Sequence, residues 1–318
     1  LTTPPDLVLI PKSSKNGLRS CDPSKLDKLI FKIKLIIDDE SNKIQNKIIK
    51  NLFIKSLFKK MKKDLISVII PYHKKKTYFQ DTINCIIKQT YVNFELIVIY
   101  DDQDKSELKH VRKVLNKFNK FKCKKIKLIV NKKNIGAGLS RNKAIKLAKG
   151  NYIAFCDADD LWNNKKLEIQ LKFMKDNQFS FSHTSYNIIN EKGKKISDFS
   201  IKKKIKYSDL LKSCDIGLST VMCSKKILQN KKFLNIKTKE DYYLWLSIIM
   251  KQKHLYGIQK KLTSWRRLDL SLSSSILRKV LDAFYMYNKH TNKNVFLSVF
   301  YTLRLTFYAF MKKIKIYV

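Results

Sequence analysis

Between residues 65 and 156 four short apolar runs alternate with helical segments, and this pattern constrains the fold more than any other feature of the chain. The runs are ISVIIP at 66–71, FELIVIY at 94–100, IKLIV at 126–130 and NYIAFC at 151–156. Segments of helical character at 78–89, 106–118 and 137–149 separate them. Strands of four to seven residues that are apolar on both faces have to be covered on both sides, which helix-connected parallel strands achieve. The pattern predicts an α/β, Rossmann-like fold with a mainly parallel central sheet flanked by helices. In such sheets ligands bind beyond the carboxyl ends of the strands, so those ends are where chemistry is expected.

Strand one ends in Pro71-Tyr72-His73, strand two in Asp101-Asp102-Gln103-Asp104, and strand four in Asp157-Ala158-Asp159-Asp160. Two groups of carboxylates thus converge on one sheet edge, where they repel unless cations or ligand hydroxyls offset them. A hard divalent cation, Mg²⁺ or Mn²⁺, suits such oxygen ligands, held by one or two carboxylates with substrate phosphates. The structural alternative is a loop in which Asp160 or Asn163 caps the helix starting near Lys165. Between the clusters, NIGAGLSRN at 134–142 is a glycine-bearing turn opening a helix. It matches neither the dinucleotide fingerprint nor a phosphate loop. Arg141, on the first turn of that helix, is placed either to reach a base or phosphate or to form a salt bridge.

Charge narrows the function classes. Lys and Arg number 67 against 26 Asp and Glu, a formal net charge of +41. That excess invites a polyanionic partner, nucleic acid or an acidic membrane. Only seven of the basic residues are Arg, the side chain suited to bidentate readout of bases, so nucleic acid is disfavoured. The six cysteines, Cys21, Cys85, Cys123, Cys156, Cys214 and Cys223, form no CxxC pair, which argues for reduced thiols in a cytoplasmic setting rather than zinc or disulfides. No apolar run reaches the ~20 residues a bilayer span needs, so any membrane contact is expected to be peripheral.

From residue 67 to about 273 the chain resembles the inverting family 2 glycosyltransferases of the GT-A fold, of the bacterial surface-polysaccharide type. SVIIPYH resembles that family's first strand, FELIVIYDD its nucleotide-binding strand, and NIGAGLSRNKAIKLAKGNYIAFCDADDLW its central block ending in the DxD motif. The resemblance implies that Pro71, with Tyr72 beside it, and Asp101 or Asp102 contact the uracil and ribose of a UDP-sugar. It implies that Arg141 assists at the base, that Asp157 binds ribose or sugar, and that Asp159 with Asp157 binds the metal. Gln103-Asp104 departs from the pattern, which has Gly-Ser after the paired Asp.

The second half is less regular: a helix at 165–177, the strand-like FSFSHTSYNII, a polar hairpin near 191–194, and a helix opened by Lys239-Glu240-Asp241. Acids in a first helical turn complement the dipole. The resemblance instead implies that Asp241 in EDYYLWL is the base taking the proton of the acceptor hydroxyl, with Glu240 orienting it. Arg266 in TSWRRLDLSLS aligns with an Arg that closes over the donor diphosphate. The implied acceptor is a glycan or lipid-linked glycan. A nucleotidyltransferase of related fold and a non-catalytic polyanion or membrane binder are the alternatives.

The domain reading has three parts. Residues 1–60, which hold four of the five prolines and a basic helix-like run at 44–63, are expected to be an extension, with Met61 as the natural start. Residues 61–275 form the transferase domain, with a donor half at 64–160 and an acceptor half at 161–275. Residues 276–318 form a basic amphipathic tail, in which VFLSVFYTLRLTFYAF at 295–310 is either a helix lying at an anionic membrane surface on the inner face of the plasma membrane or one packed on the domain.

Overall fold

The computed structural model describes residues 64–118, 125–268 and 276–317, with side chains described as far as residue 311. The chain divides into two compact units, Leu1–Lys63 and Asp64–Val318, and the described elements all belong to the second. The expectations for residues 1–60, for Met61, and for the Ser-Leu-Ser run at 271–273 lie outside the described residues.

Ten strands form one sheet among the described residues, with the order β3-β2-β1-β4-β9-β6-β10-β5, while β7 pairs with β6 and β8 with β10. The parallel half consists of β1 (Ile66–Tyr72), β2 (Phe94–Tyr100), β3 (Lys125–Val130) and β4 (Tyr152–Phe155), connected through α1 (Lys76–Ile87), α2 (Leu108–Phe118) and α3 (Ala137–Leu147). Every residue of β1 and β2 is buried, as continuous apolar runs in a doubly covered sheet require. Tyr72 pairs with Tyr100, Tyr100 with Val130, and Ile69 with Phe155, so the acid-bearing loops leave the sheet side by side.

The sheet then changes direction. β5 (Leu161–Trp162), α4 (Lys166–Asp176), β6 (Phe181–Ile189), β7 (Lys195–Phe199), β8 (Lys204–Lys206), α5 (Tyr207–Lys212) and β9 (Met222–Ser224) lead to α6 (Glu240–Gln252) and the long β10 (His254–Arg266). β9 runs antiparallel to β4 and to β6, whereas β10 is parallel to β6. Tyr242, Trp245 and Ile249, spaced three and four residues apart on α6, are all fully buried. Trp245 packs against Phe155, Phe181 and Phe233, joining the helix to both halves of the sheet.

The chain closes with α7 (Ile276–His290) and α8 (Val295–Tyr317). Their inner faces are tied to the domain: Tyr287 Oη lies 3.0 Å from Tyr242 Oη and donates to the Leu211 carbonyl at 3.0 Å, and Arg304 donates to the same carbonyl at 3.1 Å. Among the described residues no helix is long and apolar enough to cross a membrane.

Candidate active site

The loops beyond β1, β2 and β3 are cross-braced by the first carboxylate cluster. Asp101 is buried and accepts from the Ile135 amide and the Asn131 side chain, both at 2.9 Å. Asp102 accepts from the Asp104 amide at 3.1 Å and has His73 Nδ1 3.2 Å from its Oδ2. Asp104 in turn accepts from the amide and hydroxyl of Ser106 at 2.8 and 2.9 Å. In the Gln103-Asp104 departure, Asp104 stands where the pattern has Ser and closes this turn with its side chain, while Gln103 stands where it has Gly without adopting a positive φ. Pro71 and Tyr72 are both buried in β1. Tyr72 stacks on Tyr100 and donates its hydroxyl to Glu107 at 2.6 Å, which places its side chain in the core behind the strand end.

Arg141 is held by two carboxylates. Its guanidinium is 4% exposed and donates to Glu240 Oε1 and to Asp157 Oδ1, both at 2.7 Å, while lying 5.4 Å from the Phe233 ring centre. Of the two sequence alternatives the salt bridge holds, and it is buried rather than superficial. One cation therefore joins the end of β4 to the start of α6. Gly138 makes this approach possible: a Cβ there would fall 2.7 Å from the Leu234 carbonyl and 3.0 Å from Glu240 Cγ. Lys239, immediately before α6, adopts a left-handed backbone with φ 69°, a conformation costly for a residue with Cβ.

Burial raises the carboxyl of Glu240 to about 7, Asp241 adding to the rise and Arg141 opposing it. Burial likewise lifts Asp241 above the usual carboxylate range, against the pull of Arg141. Asp241 accepts from the Tyr242 amide at 2.8 Å.

At the end of β4, Asp157 is 35% exposed, whereas Asp159 is 13% exposed and carries Lys75 Nζ at 2.8 Å. Asp160 is buried, accepts from the Arg266 amide at 2.9 Å and is raised well above its ordinary value by burial and by Asp159 and Asp157. It does not cap α4; Asn163 does the nearer work, accepting from the Lys165 amide at 3.0 Å. The Arg266 guanidinium is spent on main chain, donating to the carbonyls of Asp159, Asn190 and Glu191 at 2.9, 3.2 and 2.7 Å, and it lies 4.7 Å from the Tyr78 ring centre. As placed here it pins the carboxylate loop rather than standing open over a diphosphate.

A divalent cation fits these residues. Among the described residues no three His, Cys, Asp or Glu side chains are grouped to hold a metal by themselves. Mg²⁺ and Mn²⁺ sites need only one or two carboxylates when substrate phosphates complete the shell. Asp157 is open to such a ligand, and Asp159 already binds a cationic group in Lys75. Sequence reasoning missed Lys75; the signal was three consecutive lysines directly after strand one, facing an acid cluster.

A parallel sheet whose strand ends present paired carboxylates, joined through a buried Arg to an acidic helix start, defines a GT-A glycosyltransferase fold. The chain belongs to glycosyl transferase family 2, whose family model matches residues 67–236. It is 31% identical over 228 residues to a putative teichuronic acid biosynthesis glycosyltransferase of Bacillus subtilis, covering 71% of this chain and 88% of that protein. It is 39% identical over 186 residues to a UDP-Glc:alpha-D-GlcNAc-diphosphoundecaprenol beta-1,3-glucosyltransferase of Escherichia coli, covering 58% of this chain and 70% of that protein. The fold also matches a mannosyltransferase from Pyrobaculum calidifontis in complex with GDP-Man and Mn²⁺, with TM-score 0.57, 14% identity, and coverage of 76% of this chain and 70% of that one. Against two longer Rickettsia glycosyltransferases the chain spans about a third of their length. Family membership sets aside the nucleotidyltransferase alternative.

Proposed function

We propose that this chain transfers a sugar, with inversion, from a uridine diphosphate sugar to a hydroxyl of a lipid-linked or growing surface glycan. The observation that carries the reading is the Arg141 bridge, which brings Asp157 of the donor half to Glu240, next to Asp241. The activity for which the E. coli relative is named supports both the uridine donor and the lipid-linked acceptor. The free thiols of Cys85, Cys156, Cys214 and Cys223 support a cytoplasmic setting.

Inversion is a single in-line displacement, so the chain needs one base and no carboxylate nucleophile. Asp241 takes the proton of the attacking hydroxyl; its burial makes it a stronger base than an exposed Asp. Glu240, held by Arg141, orients that position. Asp159 and Asp157 would hold a Mg²⁺ or Mn²⁺ ion together with the donor phosphates, and such an ion would supply Lewis-acid stabilisation of the charge on the leaving diphosphate. Lys75, paired with Asp159 at 2.8 Å, would be released by such an ion to serve as a cation for the same phosphates.

The test is UDP release across a panel of UDP-sugars with Mn²⁺ and with chelator. Metal-dependent release with at least one donor is expected, and Asp241→Asn should lower kcat by about 10²–10⁴-fold while UDP affinity is kept. Unchanged turnover in Asp241→Asn would remove Asp241 from its role, and no release with any donor would remove the uridine reading.

A further inference from the structure

The two C-terminal helices carry the broadest exposed apolar surface of the described residues. On α8, Phe296, Phe300, Leu303, Phe307 and Phe310 are 91%, 55%, 66%, 60% and 61% exposed. Their spacing of four, three, four and three residues places them within about 80° of arc on a helix turning about 100° per residue. The opposite face holds Ser298, Thr302 and Leu305, all buried against the domain. On α7, Leu277, Leu281 and Tyr285 form a second exposed row at four-residue spacing. The helix is therefore packed on the domain along one face and exposed along the other.

We propose that this α7–α8 face docks on an anionic lipid bilayer, lying in the headgroup region with the phenylalanine stripe inserted. Charge selects this occupant. From residue 276 to 318 the sequence has eight Lys and Arg against a single acid, Asp282, and of the eight Arg304 is turned inward onto the Leu211 carbonyl, leaving seven. That acid is buried and turned inward, accepting from the amide and hydroxyl of Thr238, both at 2.9 Å. A surface so basic is repelled by a second copy of itself, whereas anionic headgroups attract it while acyl chains take up the aromatic rings.

Vesicle binding needs neither donor nor metal, so this inference and the transferase reading fail separately. The experiment is sedimentation of the full chain with phosphatidylglycerol vesicles and with phosphatidylcholine vesicles, for the natural sequence and for Phe296→Ser/Leu303→Ser/Phe307→Ser. These side chains are exposed, and unchanged far-UV circular dichroism and melting temperature confirm the variant's fold. The natural chain should bind phosphatidylglycerol at least tenfold more tightly than phosphatidylcholine, and the triple variant should lose at least tenfold in affinity. Equal binding by the variant, no binding by the natural chain, or a natural dimer that becomes monomeric in the variant would each overturn the proposal.

Discussion

Replacing Arg141 by Gln tests the bridge on which the site is built. The side chain is buried and carries two 2.7 Å ion pairs, so its loss leaves Glu240, Asp157 and the neighbouring Asp241 without their shared cation. At an effective dielectric constant near 20, each pair is worth about 4 kcal/mol in gross Coulomb energy at about 4 Å. Asp157 is 35% exposed, so its pair is discounted to about 1 kcal/mol. The Glu240 pair, 12% exposed at the carboxylate, retains about 2 kcal/mol after the desolvation already incurred. A net loss of about 3 kcal/mol is expected at about pH 8.5. The sign with pH follows from Glu240, whose carboxyl is raised from 4.5 to about 7 in the folded chain. A raised acid contributes stability below its unfolded value that is lost as pH rises through the folded one. Without Arg141 the carboxyl rises further, so the deficit of the variant deepens above about pH 7 and shrinks to about 1 kcal/mol at about pH 5.5. Urea unfolding of Arg141→Gln, Glu240→Gln and the double variant at both pH values measures this as a coupling energy. A coupling below about 0.5 kcal/mol at the higher pH, or one that does not change with pH, refutes the argument.

Three further outcomes are expected. Lys75→Gln removes the cation beside Asp159 and should tighten Mn²⁺ binding to the nucleotide-free protein by about fivefold, read by Mn²⁺ electron paramagnetic resonance, while weakening UDP. Lys166 is fully buried, 2.6 Å from Gln170 Oε1 and 4.1 Å from the Trp162 ring centre, and burial pushes its amine from 10.5 down to about 7. The unfolded chain binds the extra proton, so stability is lost as pH falls from 10.5 to about 7, and Lys166→Met should recover up to about 3 kcal/mol at about pH 8 and flatten that slope in chemical denaturation. Gly138→Ala forces a Cβ against the Leu234 carbonyl and Glu240, and should cost about 1–3 kcal/mol in thermal unfolding with a larger fractional loss of activity.

The donor half was readable because its physics is one-dimensional. A strand buried on both faces has to be apolar at nearly every position, and β1, β2 and β4 show it, the exceptions Ser67 and Glu95 bonding each other at 2.7 Å. The acceptor half follows no such rule. In β6, Ser182, His183, Thr184 and Ser185 are all fully buried, so a polar run lies in the middle of the sheet. β10 escaped sequence reading altogether: register shifts between Ile258 and Lys261 and between Lys261 and Thr263 break its alternation, and its lysines face solvent. Residue types at the site were legible, partners were not. Nothing local to Arg141 announces an acid 99 positions away, nor does Arg266 reveal a carbonyl 107 positions before it. Those contacts exist only once the sheet order is known.

Asp282 has a consequence for how the molecule can be cut. It lies on α7 and fastens Thr238, two residues before Glu240, by two hydrogen bonds. A chain shortened before residue 276 would lose this clasp and the Tyr242–Tyr287 hydroxyl contact together. The last two helices are thus a buttress for the start of α6, and shortening the chain would confound lipid binding with damage to the base. Substitutions confined to the outward phenylalanines leave the buttress standing and separate the two.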